Sequence, residues 1–136
     1  LVLAWRSGNG DEMIKRLESL GLPVYIDEPA SLQDVARSVR DVGTLTGNAD
    51  TAEAAAQAYL RNLSHLRDTY SAREVVTVYY QIWDEPLLTL NGDHLISDVV
   101  RLCGGRNVFA DALALVSRIS VESVVRADPQ VIIASA

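Results

Sequence analysis

The chain opens on a continuous apolar run, Leu1-Val2-Leu3-Ala4, which predicts a short buried strand. The polar, glycine-bearing stretch Trp5-Arg6-Ser7-Gly8-Asn9-Gly10 predicts a loop. Behind Asp11, a capping residue type, Met13, Ile14, Leu17 and Leu20 recur at helical spacing, and Gly21 and Pro23 end that helix. Val24-Tyr25-Ile26 predicts a second strand. Ser31, with Asp34 three residues on, then starts a helix with the stripe Leu32, Val35, Ala36, Val39 and Val42, which Gly43 stops. Strand, helix, strand, helix is the order of a parallel sheet covered by helices.

The next element is longer. Asp50-Thr51-Ala52-Glu53 has the form of a capping box, and Ala52, Ala55, Ala56, Tyr59, Leu60, Leu63, Leu66 and Tyr70 come after it at helical spacing. From Asp50 to Ser71 the pattern covers about 21 residues, roughly 32 Å at 1.5 Å each, with no Gly or Pro to kink it. It reads either as an ordinary surface helix or as a rigid strut between two lobes, because the strand–helix alternation restarts after it. Val75-Val76-Thr77-Val78-Tyr79-Tyr80, β-branched and aromatic, is the strongest strand pattern in the chain. Gln81 to Gly92 predicts a loop, Asp93 caps a helix carrying Leu95, Val99 and Leu102, and Gly104-Gly105 ends it. Asn107-Val108-Phe109 predicts a short strand. A helix runs from Ser120 to about Arg126, broken by Asp128-Pro129, and Val131 to Ala134 predicts a last strand.

Composition narrows the function classes. With 49% hydrophobic and 22% charged residues the 136-residue chain is globular. Its net charge of −6, with no Lys/Arg cluster, disfavours nucleic acid and anionic membranes as partners. No apolar run approaches the roughly 20 residues of a membrane span. One cysteine excludes an internal disulfide framework and any multi-cysteine metal site. Strand-like runs at both ends, where termini are usually polar, give the expectation of a piece cut from a longer protein, and the sheet edges they expose suggest pairing with a second copy.

Catalytic chemistry is sparse. His65 and His94 lack metal-ligand spacing; His65 sits in the long helix and reads as solvated, and His94 comes directly after the predicted cap. Cys103 reads as a small buried hydrophobe. Ser7-Gly8-Asn9-Gly10 resembles a phosphate-binding turn only loosely, and Asp84-Glu85 are adjacent loop carboxylates. Aromatic placement is more informative. The only two tryptophans, Trp5 and Trp83, each come after a predicted strand. In open α/β sheets ligands bind beyond the carboxyl ends of strands, and flat side chains suit a large, partly apolar ligand. The alternative for both is core packing.

Three motifs carry a family resemblance: Leu1-Val2-Leu3-Ala4-Trp5-Arg6-Ser7-Gly8-Asn9, the run Cys103-Gly104-Gly105-Arg106-Asn107-Val108-Phe109, and Ser120-Val121-Glu122-Ser123-Val124-Val125 leading to Asp128-Pro129-Gln130-Val131-Ile132. The chain resembles periplasmic cobalamin-binding proteins of ABC importers, within the helical-backbone class of metal- and metallophore-binding proteins. The resemblance implies an α/β fold of two Rossmann-like lobes joined by one long helix: residues 1–48 as the remainder of an N-terminal lobe, 49–72 as the backbone helix and 73–136 as an incomplete C-terminal lobe. The ending Val131-Ile132-Ile133-Ala134-Ser135 is similar to the opening Leu1-Val2-Leu3-Ala4-Trp5, one copy per lobe.

The resemblance further implies a ligand-binding protein without catalysis or a cofactor of its own, working in the periplasm. It would hold cobalamin in the cleft between the lobes, close only modestly around it, and hand it to the permease. Trp5 matches a pocket tryptophan, Trp83 falls in a loop of pocket aromatics, and Leu88 falls near another such position. Arg6 and the backbone of Ser7 to Gly10 would meet polar parts of the ligand. Glu122 matches a glutamate that docks onto permease arginines, although a carboxylate in the first turn of a helix is also explained by the helix dipole alone. In some relatives the cysteine at the position of Cys103 is disulfide-bonded to one near the C-terminus. An iron-siderophore or haem is the alternative ligand, with Arg6 and Tyr79 or Tyr80 as contacts. A small nucleotide-dependent α/β enzyme is the alternative of another class.

Overall fold

The computed structural model describes residues 1–134, so Ser135 of the predicted ending lies outside them. β1 (Val2–Ala4) and β2 (Val24–Ile26) pair in parallel, Val2 opposite Val24 and Ala4 opposite Ile26. Between them lie α1 (Arg6–Asn9) and α2 (Asp11–Ser19). The predicted Trp5–Gly10 loop therefore contains a helical turn, closed by Asn9 and Gly10 amides donating to the carbonyls of Trp5 and Arg6.

α3 (Leu32–Leu45) begins with the predicted capping box: the Asp34 amide donates to Ser31 Oγ at 3.2 Å and the Ser31 amide to Asp34 Oδ2 at 3.0 Å. The helix continues through Gly43 instead of stopping there. Gly43 is used for packing, since a Cβ at that position would lie 2.0 Å from the Ala52 Cβ. α4 (Ala49–Tyr70) comes next with Asn48 as its N-cap, so the capping box expected at Asp50 does not form. Leu32, Leu63 and Leu102 form a buried cluster with Tyr59, Leu60 and Leu95 packed against it. That cluster joins α3 and α4 to α5 (Leu95–Leu102), so the long helix is packed against both an earlier and a later helix.

After α4 come β3 (Val76–Gln81), β4 (Trp83–Asp84) and β5 (Leu87–Leu90), which precede α5; β6 (Gly105–Asn107), β7 (Val116–Arg118), α6 (Val121–Ala127) and β8 (Val131–Ala134) complete the order. β3 is the centre of a parallel sheet ordered β6-β3-β8, with Val78 opposite both Asn107 and Val131. The expected strand at Asn107–Phe109 thus lies two residues earlier. The predicted loop Gln81–Gly92 is instead a hairpin, β4 against β5 around a cis Glu85-Pro86 peptide, and β7 joins it antiparallel. The fold is mixed α/β with parallel sheets, as expected.

Burial departs from expectation at both ends. Leu1 and Leu3 are exposed, as are Val131, Ile132 and Ile133 of β8, because no described element covers those faces. Cys103 is likewise exposed rather than buried: it is the C-cap of α5, one step beyond the inward-facing Leu102. Tyr79 is buried in β3 and meets Phe109 edge-on, ring centroids 5.7 Å apart.

α3 and α4 are also tied by a two-point ion pair, Arg40 Nε to Glu53 Oε2 at 2.6 Å and Nη2 to Oε1 at 3.1 Å. Arg40, with help from Gln57, pulls the Glu53 carboxyl from 4.5 down to about 2. A depressed carboxyl stabilises the fold above its unfolded value and loses that contribution as pH falls through the folded one. The difference in thermal midpoint between wild type and Glu53→Gln is therefore expected to be full above pH 4.5 and to shrink as pH falls toward 2. A difference constant across that range would contradict the pairing.

Candidate functional site

β1 and β2 run side by side in the same direction, so the residues just beyond both carboxyl ends emerge together. These are Trp5 to Ser7 after β1, and Asp27 to Ala30 after β2. Trp5, Ser7, Asp27, Glu28, Pro29 and Ala30 form one wall of a cavity of about 520 Å³. Asp93, His94, Leu95 and Leu115, all from beyond α4, form the other wall. The volume falls within the roughly 300–1,000 Å³ of small-molecule sites.

Local geometry fixes each wall. The Trp5 amide donates to Asn9 Oδ1 at 3.0 Å, which anchors the start of α1. The indole lies over Gly8, where a Cβ would come 2.1 Å from the Trp5 Nε1. Trp5 remains 54% exposed, a large apolar side chain without a covering neighbour. The Ser7 amide donates to Glu28 Oε1 at 3.1 Å, and the Ser7 hydroxyl and amide hold that carboxyl below its ordinary range. Behind this wall, Ser38 donates to Asp27 at 2.5 Å and the Tyr25 hydroxyl donates to Asp41 at 2.6 Å, strapping β2 and its exit onto α3. The hydrogen bond to Asp41 raises the Tyr25 phenol above its ordinary value.

The opposite wall rests on a buried polar network. Asn107 Nδ2 donates to the Leu90 carbonyl at 2.9 Å and to Ser97 Oγ at 3.0 Å, and Ser97 donates to the Asn91 carbonyl at 2.7 Å. Asn91 receives the Asp93 amide on its side-chain oxygen at 3.0 Å and donates to the Ala112 carbonyl at 3.1 Å. His94, not Asp93, caps α5: its Nδ1 accepts from the Ile96 amide at 3.1 Å. The cap thus falls one residue later than expected, while the Asp93 amide donates to Asn91 Oδ1. Burial pushes His94 below the ordinary imidazole value.

Other sequence-derived candidates lie elsewhere. Arg6 is paired with Asp11 and is absent from the cavity lining. Trp83, exposed on β4, sits opposite Leu88 in the hairpin, its Nε1 donating to the Glu85 carbonyl at 3.0 Å. Trp83 and Leu88 are thus brought together but do not line the cavity that Trp5 lines. Glu122 is exposed in the first turn of α6, where Ser120 caps the helix; its own backbone amide and the Ser120 hydroxyl lower its carboxyl. Sequence reasoning missed Asp27 to Ala30 and His94. The first group was accessible to the same strand-end rule that singled out Trp5.

The chain resembles known proteins along its whole length. The periplasmic binding protein family matches residues 1–136. Vitamin B12-binding proteins of Vibrio parahaemolyticus and Yersinia pestis are 30% and 33% identical over 135 residues, 99% of this chain. That stretch is 49% and 48% of those proteins, so the chain spans about half the length of the curated relatives it matches. The crystal structure of the periplasmic vitamin B12 binding protein BtuF of Vibrio cholerae matches with a TM-score of 0.87 at 31% identity, covering 98% of this chain and 52% of that one. A periplasmic heme binding protein from Pseudomonas aeruginosa has the same TM-score at 22% identity, covering 97% of this chain and 49% of its own; that likeness concerns the fold alone. With the family match running from one end to the other, this chain belongs to the periplasmic binding protein family.

Proposed function

We propose that this chain is the ligand-contacting part of an ABC-importer substrate-binding protein that captures cobalamin, or a close corrinoid, in the cavity beside Trp5. It would work in the periplasm, carry no catalytic step, and deliver its ligand to the membrane permease. The observation that carries the reading is the character of the cleft wall. An open indole and the apolar Pro29, Leu95 and Leu115 stand beside three carboxylic residues, Asp27, Glu28 and Asp93, and no Lys or Arg is among the lining residues. Haem and ferric siderophores carry carboxylate or other anionic groups that such a wall repels and leaves unpaired. A corrin fringed with neutral amides suits it: the ring faces an indole, and amide N–H groups meet carboxylates. The named relatives at 30% and 33% identity support the same ligand.

Titrating the protein separately with cyanocobalamin and haemin, by calorimetry and tryptophan quenching, tests this. Saturable heat is expected with cyanocobalamin and none with haemin; the reverse result, or no cyanocobalamin heat, would overturn it. For permease docking, the support is an exposed, ionised Glu122 held on a capped helix start, an acceptor suited to an arginine fork. Glu122→Ala is expected to weaken pull-down of the permease complex by at least severalfold, and unchanged capture would remove that role.

A further inference from the structure

We propose that His94 is a ligand-contacting residue of this cleft, offering an Nε2–H donor to a neutral carbonyl on the edge of the ligand, and that its capping bond bars it from coordinating the ligand's metal. This role rests on the corrinoid reading above and adds a specificity element to it.

The capping bond fixes the tautomer. Nδ1 accepts the Ile96 amide at 3.1 Å, so it must carry a lone pair. In an uncharged imidazole the proton then sits on Nε2. Nε2 has no hydrogen-bond partner among the described residues and is not a sealed, orphaned atom. His94 is among the residues lining the cavity across from Trp5, and we assign its one uncommitted polar group to whatever fills that space.

The surrounding charges do not overturn this. Asp93 is the neighbour on its own turn, and Asp27 and Glu28 stand in the opposite wall. Asp27 is engaged by Ser38 and Glu28 by Ser7. Protonating the ring would place a second N–H against the Ile96 amide, and burial opposes the charge as well.

Metal coordination needs the opposite arrangement. A ligating histidine uses a lone pair on one nitrogen and donates the other N–H to a carbonyl or carboxylate. Here the second nitrogen faces a donor, so coordination through Nε2 would force two N–H groups together and uncap α5. A haem iron or corrin cobalt therefore gains nothing from His94, whereas an amide carbonyl at the corrin edge gains a donor that needs no rearrangement.

Two substitutions separate the roles. His94→Asn keeps a cap acceptor close to the backbone and leaves no donor at the position of Nε2, because its shorter amide cannot reach there. His94→Gln keeps a donor near the position of Nε2 and gives up the cap. Cyanocobalamin affinity, measured by calorimetry, is expected to fall about tenfold in His94→Asn, with the thermal midpoint unchanged. In His94→Gln affinity should stay within about threefold while the midpoint drops. Wild-type affinity in His94→Asn would overturn the contact. Bound aquocobinamide should show the same visible spectrum in wild type and His94→Asn; a nitrogen-ligated spectrum lost only in the variant would overturn the donor assignment. Failure of the corrinoid reading is distinct, because it appears as no cyanocobalamin heat in the wild type.

Discussion

Replacing Trp5 by alanine is expected to weaken cyanocobalamin binding by about thirtyfold, the equivalent of roughly 2 kcal/mol for an aromatic anchor at the centre of an interface. Trp5 is the largest apolar side chain on the cavity and is more than half exposed without ligand, so its removal deletes contact area and leaves no hole in a core. The fold should therefore survive, with a thermal midpoint close to wild type, and the loss should appear as faster dissociation. Gly8→Ala is the companion test. Its new Cβ would fall 2.1 Å from the indole nitrogen, so the ring must swing away while the backbone of α1 can stay. A five- to tenfold loss of affinity is expected there, with quenching of the displaced tryptophan reduced on ligand addition. Unchanged affinity in Trp5→Ala would remove the indole from the site, and unchanged affinity in Gly8→Ala alone would mean that its orientation is not constrained.

The parts of the molecule that were legible from sequence are those whose pattern is local. The stripe from Ala52 to Tyr70 places α4 to within a residue or two, since one helix face must be apolar along its whole length. Ser31 with Asp34 makes the capping box that its spacing announces. The β4–β5–β7 sheet was not legible. Asp84-Glu85-Pro86 and Asn91-Gly92 are turn formers that hide the four-residue β5 between them, and β5 finds its second partner at Val116–Arg118, far along the chain. The site divides in the same way. Trp5 and Trp83 each come after a predicted strand, and sequence treats them alike. The exit of the neighbouring parallel strand β2 supplies Asp27 to Ala30 and makes a cavity wall with Trp5, whereas the chain after β3 enters the β4–β5 hairpin and places Trp83 there. His94 escaped because Asp93 is the commoner capping type, and only the backbone course of the Asn91–His94 turn, which no periodicity encodes, sets His94 Nδ1 against the Ile96 amide.

Asn107→Ala is expected to cost about 3 kcal/mol of stability. The Asn107 amide is buried and fully used. It donates to the Leu90 carbonyl and Ser97 Oγ, and its oxygen accepts the Phe109 amide at 2.9 Å. Alanine removes all three bonds at once, and a buried group left without its partner costs about 1–3 kcal/mol. Asn107→Asp is isosteric and should be worse at neutral pH, since a carboxylate would face the Leu90 carbonyl with no donor to give. Burial and that carbonyl would raise its folded pKa above the usual ~3.9, so its deficit against wild type is smallest below that value and grows as pH rises. Urea denaturation followed by far-UV circular dichroism between pH 4 and pH 8 measures both variants. Equal midpoints for wild type and Asn107→Ala would show that the network does not hold the fold. Because this network also carries the Asn91–His94 turn, the alanine variant should lose cyanocobalamin affinity even at temperatures where it is fully folded. That loss would link a buried amide on β6 to the wall of the cleft.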